Sequence, residues 1–211
     1  YSIFFPRNTG REDIQMYLTA AIAVLCNTGL SFISLKLGTA LAGLLTLPYI
    51  YLLGKELGNR WVGLLAFILA GVAYWPNVIS RVGLRFPLYP LFTAPTLFYF
   101  VRGLRRSSRN DFILAGVALG LGLHGYSPFR FVPILVVLGT GIYLLHKQSK
   151  DKRYQAVWAL CMLALVAFLI FLPLARYALS DPQTFGYRAL SRLSSTERSI
   201  PGEAWQIFCE N

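Results

Sequence analysis

Residues 156–177 read AVWALCMLALVAFLIFLPLARY, a run of apolar side chains with one charged residue, Arg176. A helix over this run is about 33 Å long at 1.5 Å per residue, enough to cross a hydrocarbon core of roughly 30 Å. Five more apolar runs of similar or slightly smaller length precede it, at residues 31–53, 61–79, 82–101, 111–126 and 129–145. The chain therefore predicts an all-α polytopic membrane protein with about six transmembrane helices.

The third and fourth runs are the weakest of the six. Pro87, Pro90 and Pro95 interrupt the third run, and proline kinks or shortens a helix. The fourth run stops before Pro128.

The composition supports an integral membrane protein. The 211 residues are 55% hydrophobic and 14% charged, and the mean hydropathy is +0.53. The net charge of +11 does not indicate nucleic-acid binding, because the basic residues fall in short loops and no nucleic-acid motif accompanies them. Cys26 and Cys161 lie in apolar stretches and Cys209 lies in a polar tail, so no disulfide framework is predicted.

Basic residues alternate between the loops. The second and fourth loops hold only Arg81, Arg85 and Arg130, and these two loops are predicted to lie outside together with both termini. A bacterial inner or plasma membrane is the expected location. The first, third and fifth loops are predicted to be cytoplasmic because they hold ten basic residues: Lys55 and Arg60; Arg102, Arg105, Arg106 and Arg109; Lys147, Lys150, Lys152 and Arg153.

Residues 14–26 are apolar but too short for an ordinary span. As a crossing helix they would also place the N-terminus in the cytoplasm. Aromatic and basic neighbours such as Tyr1, Arg11 and Tyr17 suit the membrane surface. The segment is therefore predicted to be a helix along the outer interface.

Charge at the outer helix ends is the main functional signal. Guanidinium groups there are costly unless they meet an anion, and a lipid-linked phosphate is an obvious candidate. Small and polar neighbours such as Gly83 and Ser80 favour a cavity over plain snorkelling anchors, although the anchor reading stays open. The candidate anion-binding residues are Arg81, Arg85 and Arg130, with His124, Tyr126 and Ser127 as the wall of the site.

Other motifs carry weaker signals. Glu12 and Asp13 form an acidic pair that either begins a helix or contributes to catalysis or substrate contact. Residues 120–125 match GxGxxG formally, but no strand precedes them, and Gly116 and Gly120 fit close helix packing better. The sequence has two histidines, and no cysteine or carboxylate stands near them at ligand spacing, so no metal site is predicted.

In their order along the chain, several segments resemble membrane-embedded glycosyltransferases of family 39. This GT-C group includes the dolichyl-phosphate-mannose protein mannosyltransferases and the bacterial aminoarabinose transferase. The resemblance rests on Gly10-Arg11-Glu12, on LTLPYIYLLGKELG at 45–58, on SRVGLR at 80–85, on AGVALGLG at 115–122, and on PLARYA at 173–178 leading to Asp181-Pro182.

The resemblance implies transfer of a sugar from a polyprenyl-phosphate donor to a protein or lipid acceptor on the non-cytoplasmic face. It implies an acidic base in the first external loop, expected upstream of Tyr1. The chain opens without a methionine and stops in a polar stretch, so it is expected to be an internal piece that is inactive alone. Many such enzymes carry an aspartate about five residues after the arginine that corresponds to Arg81, whereas this chain has Arg85 and Phe86. Arg85 is therefore expected to serve donor or acceptor binding instead. Arg11 and Arg188 are further candidates for substrate binding.

Three segments follow from these inferences: residues 1–30 as the end of an external loop with the interfacial helix, 31–177 as the six-helix module, and 178–211 as the start of another external loop. The expected partners are the polyprenyl-phosphate-sugar donor, the acceptor and membrane lipids, with no cofactor and no assignment of a divalent metal. The alternatives are a non-catalytic membrane subunit or scaffold that keeps a GT-C-like fold and, more weakly, a transporter.

Overall fold

The computed structural model describes residues 4–5, 11–12, 14–27, 29, 31–145 and 153–180. Two two-residue strands, Phe4–Phe5 and Arg11–Glu12, pair with each other, and the remaining elements are helical. Residues Glu12–Leu172 form one compact unit that contains every contact discussed below, and the residues before and after it group separately. The all-α prediction is thus confirmed apart from the short strand pair.

Eight α-helices follow one another along the described chain. A 3₁₀ helix, Ser127–Phe131, lies between the sixth and the seventh. The helices are α1 (Ile14–Leu25), α2 (Phe32–Leu57), α3 (Arg60–Val72), α4 (Tyr74–Arg81), α5 (Leu88–Arg106), α6 (Arg109–Gly122), α7 (Val132–Leu145) and α8 (Arg153–Ser180).

The predicted span count is supported only in part. Within the described residues, three helical stretches are long and apolar enough to cross a membrane: Phe32–Leu57, Pro128–Leu145 and Arg153–Ser180. A fourth candidate arises if α3 and α4, bent by 53° at their junction, form one broken span. Helix α5 carries three arginines and α6 has only 14 residues, so neither is both long and apolar enough to be counted as a span. About six spans therefore stays a prediction.

The sequence predicts one continuous helix over residues 61–79, whereas the structure has two helices, α3 and α4, with a break between them. Pro76 has no N–H to donate to the carbonyl four residues earlier, and in a helix interior its ring clashes with that carbonyl, whereas the first turn accommodates proline without loss of a hydrogen bond. The chain therefore becomes extended at Ala73, with φ −61° and ψ 133°. The side chain of Asn77 donates to the carbonyl oxygens of Gly71 (2.7 Å) and Ala73 (2.9 Å), which satisfies acceptors that the break would leave open.

The third apolar run also begins later than expected. Residues 82–87 are not α-helical, and α5 begins at Leu88, directly after Pro87 at its N-cap. Pro90 lies in the first turn, where the missing N–H has no helical acceptor, and Pro95 lies inside the helix.

Helix α1 has 12 residues, so the predicted short helix is present. It is about 18 Å long, which is less than the thickness of the hydrocarbon core. Ile22 of α1 packs on Gly38 of α2, where an added Cβ would lie 3.2 Å from the Ile22 Cδ1 atom. Whether α1 lies along the interface stays a prediction.

Close approach at glycine joins several helices. An added Cβ at Gly63 of α3 would lie 2.6 Å from the carbonyl oxygen of Tyr51 in α2. At Gly116 of α6 the same atom would lie 2.7 Å from the carbonyl oxygen of Leu163 in α8. The interpretation of Gly116 as a packing residue is confirmed, and Gly120 meets Ile170 of α8 in the same way, at 2.7 Å.

Ion pairs join the helices at their basic end. Asp111, 4% exposed, accepts a hydrogen bond from Nε of Arg102 at 2.9 Å and forms an ion pair with the same guanidinium. Arg105 and Arg106 both pair with Glu56 at the end of α2. Three arginines of the third loop thus have structural partners beyond their value as topology signals.

We expect Gly116→Ala to destabilise the helix bundle, because a methyl group at 2.7 Å from the Leu163 carbonyl oxygen forces α6 and α8 apart. Overpacking of this kind costs about 2 kcal/mol, or about 4 to 8 °C in the unfolding midpoint of a chain of this size. Gly141→Ala is the matched control, because no atom lies within 4 Å of its added Cβ. Thermal unfolding of both variants in detergent tests this, and equal midpoints would contradict the packing role.

We expect Asp111→Asn to destabilise the α5–α6 hairpin by about 2 kcal/mol, because the guanidinium of Arg102 loses its charged partner. Partial exposure of Arg102, 27% at its side chain, keeps the cost below that of a fully buried pair. The double variant Arg102→Met with Asp111→Leu should be less harmful than Asp111→Asn alone. Detergent melts of Arg102→Met, Asp111→Leu and their double variant give the coupling energy, and strictly additive effects would disprove the pairing.

Candidate functional site

The loop between α4 and α5 is held by two other helices. The side-chain amide of Gln15 in α1 donates to the carbonyl oxygen of Gly83 at 2.9 Å, and the hydroxyl of Thr39 in α2 donates to the carbonyl oxygen of Ser80 at 2.8 Å. Gln15 and Thr39 are both buried. Because the two hydrogen bonds reach the backbone, they fix the path of the loop that carries Arg81 and Arg85.

Glycine is required at position 83 for two reasons. Its φ of +77° lies in the left-handed region that other residues rarely adopt. An added Cβ there would also lie 3.2 Å from Cγ of Leu35 in α2. The turn therefore lies directly on α2.

This turn places Arg85 against an aromatic pair. Arg85 is 9% exposed, and its Cζ lies 5.5 Å from the centre of the Tyr126 ring. Phe86 meets the same ring edge to face, with 5.2 Å between the ring centres. A guanidinium over a tyrosine face is a cation–π contact that stabilises a partly desolvated charge. The predicted site residues Arg85 and Tyr126 are thus in contact.

Tyr126 is fixed by the chain that follows it. The backbone N–H of Phe129 donates to the carbonyl oxygen of Tyr126 at 2.8 Å. The Phe129 ring is fully buried, lies against Gly122 and meets Tyr89 edge to face at 6.0 Å. This anchoring gives the aromatic wall beside Arg85 a defined position.

An apolar groove opens beside this wall. It has a volume of about 450 Å³, within the range of small-molecule sites, and lies between α2, α3, α4 and the start of α5. Phe86 and Tyr126 line it, so the aromatic pair that contacts Arg85 also forms part of the groove. Other lining residues are Gly43, Thr46, Leu47, Ile50, Trp75, Pro76, Ile79, Tyr89 and Pro128. Arg85 itself is not among the lining residues, and it is joined to the groove through its contact with the Tyr126 ring.

The other proposed site residues occupy different surroundings. His124 has its Nε2 atom 3.0 Å from the carbonyl oxygen of Ile170 and its ring against Phe171, so it contacts α8. Arg81 is exposed at the end of α4, and Arg130 is half-buried in the 3₁₀ helix. The joining of Arg81, Arg85 and Arg130 into one anion site stays a prediction.

Several predicted residues cannot be placed. The backbone of Arg11 and Glu12 is described as a strand, whereas Asp13 and Arg188 lie outside the described residues. No group of three or more potential metal ligands occurs in the part of the chain that the structure describes.

Sequence reasoning missed two parts of the site. Gln15 lies within the apolar segment 14–26, where a polar residue is a signal of a specific partner. The groove was also missed, because its walls come from four separate segments and no periodicity along the chain links them.

Comparison with known proteins identifies the family. A family model described as dolichyl-phosphate-mannose-protein mannosyltransferase matches residues 14–177, from the start of α1 into α8. Neither the curated proteins nor the solved structures include a match to this chain. The matched segment contains the Arg85 loop, Tyr126 and the whole groove. Because the match covers most of its length, the chain belongs to the dolichyl-phosphate-mannose-protein mannosyltransferase family.

Proposed function

We propose that this chain is part of a glycosyltransferase that moves a sugar from a polyprenyl-phosphate donor to a hydroxyl of a protein or lipid acceptor. Family membership supports a glycosyltransferase of the GT-C type. The observation that carries the finer assignment is the position of Arg85 on the Tyr126 ring beside an apolar groove. A polyprenyl phosphate has the same two parts, a long apolar chain and an anionic head.

In this proposal the groove receives the polyprenyl chain next to the phosphate. Its lining is dominated by aliphatic, aromatic and proline side chains, and Thr46 bonds its hydroxyl to the Ala42 carbonyl oxygen of its own helix at 2.9 Å. The groove therefore offers contact area and few polar groups, which suits a hydrocarbon.

Arg85 would bind the phosphate and stabilise it as it leaves. When the acceptor hydroxyl attacks the anomeric carbon, its proton passes to the carboxylate base that the family resemblance implies. The bond from that carbon to the phosphate oxygen breaks, and the phosphate gains negative charge. A fixed guanidinium in a partly desolvated site stabilises that charge more than water does. The burial of Arg85 and its contact with Tyr126 hold the group in place before the reaction.

The proposal includes a topology of about six spans. Helices α2, α5, α6, α7 and α8 with the broken α3–α4 pair supply the spans, and α1 lies along the outer interface. Arg81, Arg85 and Arg130 then share the non-cytoplasmic side, where donor and acceptor meet. Arg11, Arg188 and His124 remain further candidates for substrate contact.

Topology can be tested by single-cysteine labelling after Cys26, Cys161 and Cys209 are replaced by alanine. We expect an impermeant reagent added outside to label Arg81→Cys, Ser127→Cys and Asp181→Cys, because the basic loops are retained inside. Ser107→Cys, in a basic loop, should be labelled only after permeabilisation. Outside labelling of Ser107→Cys would contradict the assignment.

We expect Arg85→Ala to weaken binding of a polyprenyl-phosphate sugar about tenfold or more, because a charge-assisted contact contributes about 1.5 to 3 kcal/mol. Arg85→Lys should recover binding only in part, since lysine keeps the charge but not the planar fork. Binding and transfer are measured with the full-length protein.

Arg60→Ala is the matched control for Arg85→Ala. Arg60 also lies over an aromatic ring, 5.0 Å from the centre of Trp61, but it belongs to the basic end of the bundle. Donor binding should be unchanged in that variant. Equal binding in Arg85→Ala and the unmodified protein would reject the phosphate site, whereas donor binding without transfer to any acceptor would favour the non-catalytic membrane subunit.

A further inference from the structure

A second cavity lies at the other end of α5, beside the α5–α6 hairpin. It has a volume of about 860 Å³ and lies among the end of α5, the start of α6, the end of α7 and the start of α8. Ser107 and Arg109 of the hairpin line it together with Trp158 of α8. Gln155 also lines it, and most of the other lining residues are apolar, among them Met162 and Leu165. The cavity therefore joins polar groups to a hydrocarbon surface.

Arg109 differs from the other arginines of its loop. Arg102 is paired with Asp111, whereas Arg105 and Arg106 are paired with Glu56. Among the described residues, no carboxylate lies within ion-pair distance of Arg109. Its positive charge is therefore available to an anion in the cavity.

The aromatic residues at the start of α8 indicate at which level of the membrane this cavity lies. Tyr154 is 74% exposed and Trp158 is 60% exposed, and their rings meet edge to face with 5.9 Å between centres. Both line the cavity, as does Tyr143 near the end of α7. Exposed tyrosine and tryptophan at the end of an apolar helix are typical of the headgroup level of a membrane. The cavity is thus accessible to lipid.

Ser107 adds a second polar group at a conformational cost. It follows the last residue of α5 with φ +53° and ψ 36°, the left-handed conformation in which glycine is usual after a helix. A serine there provides a hydroxyl at the cavity where glycine would provide none. The hydroxyl and the Arg109 guanidinium are suitable donors for one phosphate.

We propose that this cavity binds one anionic phospholipid from the leaflet at the basic end of the helices. The lipid phosphate would contact Arg109 and Ser107, and an acyl chain would lie against Met162 and Leu165. An anionic amphiphile would contact both the Arg109 guanidinium and the apolar wall, whereas a water-soluble anion would contact only the guanidinium. The site is separate from the Arg85 groove and does not depend on sugar transfer.

The test uses the full-length protein in detergent and a phosphatidylglycerol with brominated acyl chains, which quench tryptophan fluorescence on contact. Brominated phosphatidylcholine is the zwitterionic comparison. We expect phosphatidylglycerol to quench with a midpoint concentration about fivefold lower, because one arginine near a lipid surface favours an anionic lipid by about that factor. Trp158→Phe should remove this lipid-selective part of the quenching.

Two variants change the polar groups with little effect on the fold. Arg109→Gln should raise the phosphatidylglycerol midpoint about fivefold and remove the preference over phosphatidylcholine. Ser107→Gly should raise it about threefold, since it deletes one hydrogen-bond donor while glycine suits the left-handed position. Arg60→Gln is the matched control, because Arg60 is likewise an exposed first residue of a helix at the basic end but does not line the cavity.

Three results would overturn the proposal. Equal midpoints for the two lipids would show that the cavity has no preference for an anion. A shift in Arg60→Gln as large as that in Arg109→Gln would assign the effect to the general surface charge. Lipid-selective quenching that persists in Trp158→Phe would place the lipid elsewhere. The full result is expected even in a protein that transfers no sugar, so it is independent of the proposed reaction.

Discussion

Close approach to the backbone of α2 is the constraint on which the rest of the structure depends. Inside a bilayer, helices gain little from hydrophobic burial against one another, so their association relies on tight packing and on hydrogen bonds between them. Small residues at three levels of α2 receive α1 at Gly38, the Ser80 region at Gly43 and α3 at Gly54. The hydroxyl of Thr39 adds a hydrogen bond to the Ser80 carbonyl oxygen. Because the loop that carries Arg85 begins there, helix packing also determines where the Arg85 guanidinium lies.

Arginines have different partners at the two ends of the helix bundle. At the basic end, Asp111 and Glu56 neutralise three arginines and so connect α5 to α6 and to α2. At the other end, Arg85 lies on an aromatic ring next to a groove. An aromatic face stabilises a guanidinium by a cation–π contact, whereas a carboxylate forms an ion pair with it. The side chains that surround an arginine therefore indicate whether its charge joins two helices or lies beside a groove.

Much of the fold could be predicted from the sequence, because helix length and apolar composition are local properties. The runs at 31–53 and 156–177 correspond to α2 and α8, and the short helix after residue 13 is present. The break at Ala73, which the predicted run 61–79 does not contain, has a local signal in Pro76. The late start of α5 follows the turn at Gly83, which has a positive φ and lies against Leu35 of α2, a residue about fifty positions earlier in the chain.

The candidate site was less accessible to sequence reasoning, and the reason is geometric. Charge at unusual helix ends identified Arg85 and Tyr126, which lie about forty residues apart in the chain and make contact. It could not separate these residues from Arg81, which is exposed, or from His124, which contacts the Ile170 carbonyl oxygen. Such distinctions depend on how the ends of the helices pack against one another. A shift of one position along a helix decides whether a side chain faces a groove or a neighbouring backbone. A charged residue at a helix end therefore indicates the region of a site, and its contacts across helices decide its role.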